Sequence, residues 1–129
     1  MITLDTCALV CWLSGQKDLS QAANEAIDRE LDGGDILISA ISALEIAEYV
    51  DDGRLGLSMD TRSWLSTVVS MEGVRMIPVD TEIAFRAATL SSALSSHQRL
   101  IVATARTFGG ALVTPDAKVR ALTHVETIW

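Results

Sequence analysis

The chain has 129 residues, of which 49% are hydrophobic and 21% charged, and its formal net charge is −7. This composition excludes a disordered chain and predicts a packed core, and the length suits one domain rather than two. The negative charge argues against a protein whose main task is to coat nucleic acid, because phosphate binding depends on Lys and Arg. It is compatible with an enzyme that holds metal ions on acids, and with a protein that has a basic partner.

We expect neither a membrane span nor a secretion signal. No apolar run approaches the roughly 18 residues that a spanning helix needs, and the N-terminal apolar stretch lacks a basic region and is soon interrupted by an acid. Cys7 and Cys11 are four residues apart, so a helix would place them on one face that an apolar stripe could bury. We therefore expect a cytoplasmic protein with both cysteines reduced in its core. A metal-binding cysteine pair is the weaker interpretation, because His97 and His124 are remote in sequence.

Short apolar strands alternate with segments of helical periodicity along the chain. The predicted strands occupy 2–4, 35–39, 74–79, 111–114 and 125–129. The predicted helices run from just after 5–6 to about 14, from a cap at 20 to 33–34, from 40 to about 51, from a cap at 60 to 70, from 80 to 93, from 98 to 108, and over a short segment that begins at 116. This alternation predicts a parallel sheet with helices on both faces. Pro78 indicates that the third strand ends there or lies at an edge.

Acidic residues follow several of the predicted strands. Asp5 comes directly after the first strand, Asp116 follows the fourth, and Glu45 lies about one and a half turns into the helix after the second. Ligands of parallel sheets bind outside the carboxyl ends of the strands, where these acids would converge. Converging carboxylates repel one another unless a cation lies among them, and hard oxygen ligands suit Mg²⁺ or Mn²⁺.

A simpler interpretation exists for two of these acids, since Asp at a strand-to-helix junction is a common N-cap. Glu45 is harder to explain that way, because on a helix it falls beside Ile41 and Tyr49 on the apolar side. A carboxylate there needs a partner, and its own helix offers no Lys or Arg. A metal ion would serve, and an arginine from elsewhere, Arg99 or Arg106, is the alternative.

At this point the sequence resembles a known family. Residues 1–13 resemble the opening of PIN-domain proteins, especially the VapC-type toxins of bacterial toxin–antitoxin pairs. Residues 38–47, followed by 52–55, look like the second motif of that family, and 99–105 with 111–116 are similar to its third and fourth. The resemblance covers essentially the whole chain, with the motifs in order.

The resemblance implies one PIN domain over 1–129, with a three-layer α/β/α fold around a central parallel sheet. It implies an endoribonuclease that depends on Mg²⁺ or Mn²⁺ and that cuts cellular RNA as a toxin that blocks translation. It further implies a homodimer, neutralised by a VapB-type antitoxin whose C-terminal segment occupies the active-site groove. The acids of the family fall on Asp5, Glu45 and Asp116, with Asp5 and Asp116 as direct metal ligands and Glu45 on the metal or a metal-bound water. Thr6 and Thr114 lie where family members often carry a hydroxyl near the metal.

One position departs from the family pattern. The acid that usually precedes the third motif is replaced by Gln98, and no other acid lies between Glu82 and Asp116. Loss of one carboxylate should weaken divalent binding, because affinity follows ligand charge. Glu48 is a candidate for compensation. The departure therefore supports an alternative function, a catalytically weakened PIN domain that acts by binding RNA or by forming a complex with its antitoxin.

Further candidates line the same motifs. Arg99 is a candidate phosphate contact, with a surface or ion-pair role as the alternative. His97 is a candidate substrate contact, although a solvated loop position is the simpler interpretation. The tryptophans Trp12, Trp64 and Trp129 could stack on bases, but their apolar surroundings favour a core or interface role.

Overall fold

A computed structural model describes residues 1–15 and 19–129. Within them, five strands form one sheet in the order β3-β2-β1-β4-β5, and every neighbouring pair is parallel. The strands are β1 (Ile2–Leu4), β2 (Ile36–Ser39), β3 (Val74–Ile77), β4 (Ala111–Val113) and β5 (Thr127–Ile128). The predicted parallel sheet is confirmed, and its first strand lies at the centre.

The three central strands are buried along their whole length, as expected for parallel strands covered by helices on both faces. Strand β3 lies at an edge of the sheet and leaves Arg75 exposed. It ends at Ile77, directly before Pro78, so the expectation that this proline marks a strand end or an edge is confirmed, whereas the predicted strand bound of 79 is wrong, because Pro78 has no N–H to continue the ladder.

Seven helices are described. They are α1 (Thr6–Ser14), α2 (Gln21–Leu31), α3 (Ala40–Asp51), α4 (Thr61–Ser70), α5 (Thr81–Ala88), α6 (Ser96–Phe108) and α7 (Ala117–Arg120). Each begins after an Asp or Ser whose side chain accepts a hydrogen bond from a backbone N–H of the first turn. The bounds predicted for α1, α3 and α4 are confirmed.

The predicted bounds of α5 and α6 are wrong. Helix α5 ends at Ala88 instead of 93, because Leu90 and Leu94 turn back into the core and the Ser91 hydroxyl accepts a hydrogen bond from the Ala93 N–H. Helix α6 begins two residues earlier than predicted. Its start is set by a reciprocal capping box between Ser95 and Gln98.

The core lies in two layers, one on each face of the sheet. Alternate residues of a strand point to opposite faces, so Ile36 and Ile38 join one cluster and Leu37 joins the other. The first cluster includes side chains of α1, α2 and α4, and the second includes those of α5 and α6. The predicted three-layer α/β/α arrangement is therefore confirmed.

The tryptophans belong to the first cluster, as the core interpretation predicts. Trp64 is buried, and Trp12 and Trp129 are partly buried against the same cluster. In the ranges that the structure describes, no helix has both the length and the apolar character to cross a membrane.

The predicted burial of both cysteines is wrong for one of them. Cys11 is buried, but Cys7 is exposed, since the buried positions in the first turn of α1 are Thr6, Ala8 and Leu9. Neither cysteine forms a disulfide.

Candidate active site

The sheet order places the two acids that follow β1 and β4 next to each other. Leu4 pairs with Val113, and the Asp5 N–H donates to the Val113 carbonyl at 3.1 Å, which extends the ladder past the strand ends. The Thr114 hydroxyl then donates a short hydrogen bond to Asp5 Oδ2 and accepts one from the Asp116 N–H at 3.1 Å. One buried threonine therefore ties both acids together.

Both aspartates are also helix caps. Asp5 Oδ1 accepts from the Ala8 N–H at 2.7 Å, and Asp116 Oδ1 accepts from the Val119 N–H at 3.0 Å. The two interpretations are therefore compatible, because in each aspartate one carboxylate oxygen caps a helix and the other is left for the site. Capping fixes how each side chain is oriented, and the second oxygen points to the shared cavity wall.

Glu45 reaches the same cavity from α3. Its Oε1 accepts from the Thr6 hydroxyl at 2.8 Å, and its Oε2 accepts from the Tyr49 hydroxyl at 3.1 Å. The Nδ1 atom of His97 lies 3.7 Å from Oε2, and the Glu45 side chain is 15% exposed. The expectation of a partner for this acid is met by hydroxyls and a histidine.

The arginine alternative for Glu45 is therefore wrong. Arg99 turns toward the groove between α5 and α6, where its Nη2 donates to the Ser96 hydroxyl at 3.2 Å and its Nε is buried without a hydrogen-bond partner. Arg106 is exposed near the end of α6. As it stands, Arg99 does not face the acids.

Gln98 joins the site through both ends of its amide. Its Nε2 donates to Asp116 Oδ2 at 2.9 Å, and its Oε1 accepts from the Ser95 N–H at 3.0 Å. The amide is thus held between the capping box of α6 and the second oxygen of Asp116. An acid here would place a negative charge against that same oxygen.

These side chains line one cavity of about 250 Å³ at the carboxyl edge of the sheet. Among the described residues, its lining includes the three acids, Gln98, Tyr49 and Thr114 but no Lys or Arg. The pKa of Asp5 is raised from 3.8 to about 6, chiefly by burial and also by the charges of Glu45 and Asp116, while the hydrogen bonds from Thr114 and Ala8 oppose the rise. Burial and the Glu45 charge also raise the pKa of Tyr49.

The chemistry of this cavity fits a hard divalent cation. Three carboxylates share it, and one of them is destabilised in its charged form, a condition that a cation relieves. Within residues 1–15 and 19–129, no three His, Cys, Asp or Glu side chains lie together as a ready-made ligand set. Each oxygen of the three carboxylates instead accepts a hydrogen bond from the protein.

Two other predicted residues lie elsewhere than expected. Glu48 is exposed on α3 and does not line the cavity. The loop position expected for His97 is wrong, because it lies in the first turn of α6 beside Glu45. The sequence interpretation gave Tyr49 no role in the site, although a tyrosine four residues after an acid on one helix face is within reach of it.

The comparisons with known proteins agree with this architecture. The family model of the PIN domain matches residues 2–125. The chain is 31% identical over 132 residues to "Ribonuclease VapC22" of Mycobacterium tuberculosis, a match that covers 99% of this chain and 98% of that protein.

Solved structures share the fold. A VapBC2 complex from Rickettsia felis bound to a promoter DNA fragment matches with a TM-score of 0.72 and 16% identity, over 98% of this chain and 97% of the other. FitAcB from Neisseria gonorrhoeae matches with a TM-score of 0.68 and 22% identity, over 98% and 96%. A toxin–antitoxin complex from Klebsiella pneumoniae matches with a TM-score of 0.65 and 20% identity, over 98% and 99%. On the family match and the curated relative, the chain belongs to the PIN-domain family and is a VapC-type member of it.

Proposed function

We propose that this protein is a divalent-metal-dependent endoribonuclease and the toxin of a VapBC pair, which cuts cellular RNA and so blocks translation. The observation that carries the proposal is the meeting of Asp5, Glu45 and Asp116 in one cavity whose described lining has no basic residue. The name of the Mycobacterium tuberculosis relative, a ribonuclease, supports the reaction class.

In this proposal Asp5, Asp116 and Glu45 hold Mg²⁺ or Mn²⁺. The bound ion supplies a water of lowered pKa and a positive charge for the scissile phosphate. Thr114 keeps Asp5 and Asp116 in one relative orientation through its two hydrogen bonds. Thr6 and Tyr49 each donate to Glu45, so its carboxylate is oriented before the ion arrives.

The proposed partners are an RNA substrate, a VapB-type antitoxin and a second copy of the chain. The structural relatives described as VapBC or toxin–antitoxin complexes support the antitoxin. A formal net charge of −7 and an acid-lined cavity favour an antitoxin segment that carries basic side chains.

Gln98 supports a second candidate, a PIN domain of weakened catalysis that acts by binding RNA or by forming the antitoxin complex. The amide leaves the cavity with three carboxylates where a fourth would raise the charge available to a cation. Its Oε1 accepts a hydrogen bond from the Ser95 N–H, and as a neutral amide oxygen it brings no charge to replace that of the missing acid.

RNA cleavage by the purified protein in Mg²⁺ or Mn²⁺ separates the two candidates. We expect cleavage that chelation by EDTA abolishes and that Asp5→Asn reduces at least about 100-fold, since even changes behind the metal ligands cost about 10- to 100-fold. The matched control is Asp28→Asn, which makes the same change on the exposed face of α2. Cleavage that persists in Asp5→Asn would refute the metal-site proposal, and a parent protein that binds Mn²⁺ but does not cleave would favour the weakened domain.

A further inference from the structure

A second cavity lies next to the acid cavity and has no part in the proposed reaction. It measures about 300 Å³ and is walled by α1 on one side and by Tyr49, Arg54 and Leu55 on the other. Cys7 and Cys11 both line it. Cys7 is exposed and Cys11 buried, so one thiol lies at the mouth and the other below it.

The two sulfur atoms are 4.0 Å apart. An atom bonded to each sulfur at about 2.3 Å, the length of a zinc–thiolate bond, spans up to about 4.6 Å between them. The observed separation of 4.0 Å corresponds to an angle of about 120° at a single bridging atom. A linear or a pyramidal ion therefore needs the sulfurs to move by only about 0.5 Å, which rotation of the side chains supplies while the backbone of α1 stays helical.

A disulfide fits the same pair poorly. The sulfurs would have to approach to about 2.05 Å, and the β-carbons to about 3.5–4.5 Å. Residues four apart on a helix hold their β-carbons about 5–6 Å apart, so the bond would require the first turns of α1 to deform. The geometry thus favours an inserted atom over direct oxidation.

The coordination number of the inserted atom is limited by the surroundings. In the described ranges, no third His, Cys, Asp or Glu joins the pair as a ligand group. Zinc in structural sites takes four ligands, whereas soft ions that prefer sulfur accept fewer. We propose that Cys7 and Cys11 form a dithiol site for a soft ion of low coordination number, of the monovalent copper or trivalent arsenic class.

Phenylarsine oxide is the direct probe. Two S–H bonds are lost, two As–S bonds form, and the oxygen leaves with the two protons as water, so no oxidant or reductant is consumed. Mass spectrometry should show one phenylarsenic group per chain, and both thiols should disappear from a thiol titration. A small dithiol should remove the adduct, but an excess of a monothiol should not.

Single-thiol variants are the matched controls. Cys7→Ser changes an exposed position, and Cys11→Ala changes a buried one without adding a hydroxyl to the core. Because the second As–S bond forms within the protein, each variant should bind at least about 100-fold more weakly and lose its adduct to monothiol. Either variant alone suffices if the other folds poorly. An adduct on the parent protein that monothiol removes as easily would overturn the proposal.

A further measurement must show that the folded protein binds the probe, because an unfolded chain with the same cysteine spacing also carries two thiols. The adduct should leave the helical circular dichroism unchanged and should not lower the Tm, since the site exists in the folded state. A lowered Tm would show that binding needs α1 to open and would overturn the proposal. Monovalent copper should protect both thiols from labelling, and equal protection by Zn²⁺ would contradict the low coordination number.

One consequence rests on the proposed ribonuclease function. Cys7 lines the acid cavity as well as the second cavity, so an occupied dithiol site places bulk beside Asp5 and Thr6. Occupancy should therefore inhibit RNA cleavage, and the small dithiol should restore it. The mass measurements do not depend on this step, so a protein without ribonuclease activity still tests the dithiol site.

Discussion

The side-chain amide of Gln98 donates a hydrogen bond to Asp116 Oδ2 at 2.9 Å, at the position where the resemblance to VapC-type proteins leads one to expect an acid. A carboxylate there would repel Asp116 until a cation arrived, whereas the amide satisfies Asp116 without one. We therefore expect Gln98 to stabilise the metal-free protein and to lower its affinity for a divalent metal.

Gln98→Glu tests that exchange, because glutamate keeps the acceptor of the capping box, replaces the N–H that faces Asp116 with an oxygen and adds a negative charge. Without metal, the variant should lose about 1–3 kcal/mol of unfolding free energy, since Asp116 loses a donor and gains a like charge. Its Mn²⁺ affinity should rise about tenfold. Thermal unfolding with EDTA and with Mn²⁺ measures both effects.

The matched control is Gln21→Glu, which adds the same charge to the exposed start of α2. Gln21 also donates its amide N–H to a carboxylate, Glu25 Oε1 at 3.0 Å, but on the exposed surface. Gln21→Glu should therefore cost at most about 0.5 kcal/mol of unfolding free energy without metal, and it should leave the gain in stability from Mn²⁺ unchanged. A Gln98→Glu protein that matches this control would show that the amide has no influence on the site.

Asp5→Asn should stabilise the metal-free protein at neutral pH. The pKa of Asp5 is raised from 3.8 to about 6 in the folded state, so the folded protein binds this proton more tightly than the unfolded chain does. The stabilisation that protonated Asp5 gives to the folded state is therefore fully present below about pH 4, and it is lost as the pH rises through about 6. At pH 7 the ionised form costs about 1–3 kcal/mol, which asparagine avoids while it still caps α1.

Urea unfolding between pH 4 and pH 7.5 in EDTA measures this difference. The difference in unfolding free energy between Asp5→Asn and the parent should be largest at neutral pH and should disappear toward pH 4. Mn²⁺ should reduce this difference, because it stabilises only the parent. A gap that stays constant with pH would contradict the raised pKa.

Thr114→Val removes the hydroxyl that joins Asp5 to Asp116 at nearly constant volume. The Asp5 carboxylate loses a donor and the Asp116 N–H loses its acceptor, both near the buried edge of the sheet. We expect a loss of about 1–3 kcal/mol in unfolding free energy and a further rise in the pKa of Asp5. Thr114→Ser should recover most of the stability, which a simple packing defect would not predict.

Tyr49→Phe removes the hydroxyl that holds Glu45 Oε2 and keeps the ring over which Arg54 lies, 4.4 Å from its centroid. Because that hydroxyl orients a proposed ligand, Mn²⁺ affinity should fall about tenfold, with little change in Tm in EDTA. Isothermal titration with Mn²⁺ measures the affinity. An unchanged affinity would assign Tyr49 a packing role only.

Much of the fold could be predicted because local signals and burial agree. The apolar strands and the capping residues that precede α1, α3 and α4 each mark a boundary on their own. The end of α5 could not be predicted, because the apolar spacing of Leu90 and Leu94 also suits a continued helix. Only the packing of that turn against the sheet decides between the two.

The candidate site also has features that the sequence predicts and features that it does not. Asp5 and Asp116 could be placed at one sheet edge from the rule for parallel strands. The engagement of Gln98 with Asp116 and of His97 with Glu45 could not be foreseen, because it depends on how α6 lies against β4 and α3.

Mn²⁺ binding measured by electron paramagnetic resonance tests the central claim most directly, because it observes the ion and not the reaction. The parent protein should bind Mn²⁺ in a saturable manner that Mg²⁺ competes away. Asp5→Asn should weaken this binding at least about tenfold, and Asp28→Asn should leave it unchanged. Equal Mn²⁺ affinity in the parent and in Asp5→Asn would contradict the proposal that these acids form the metal site.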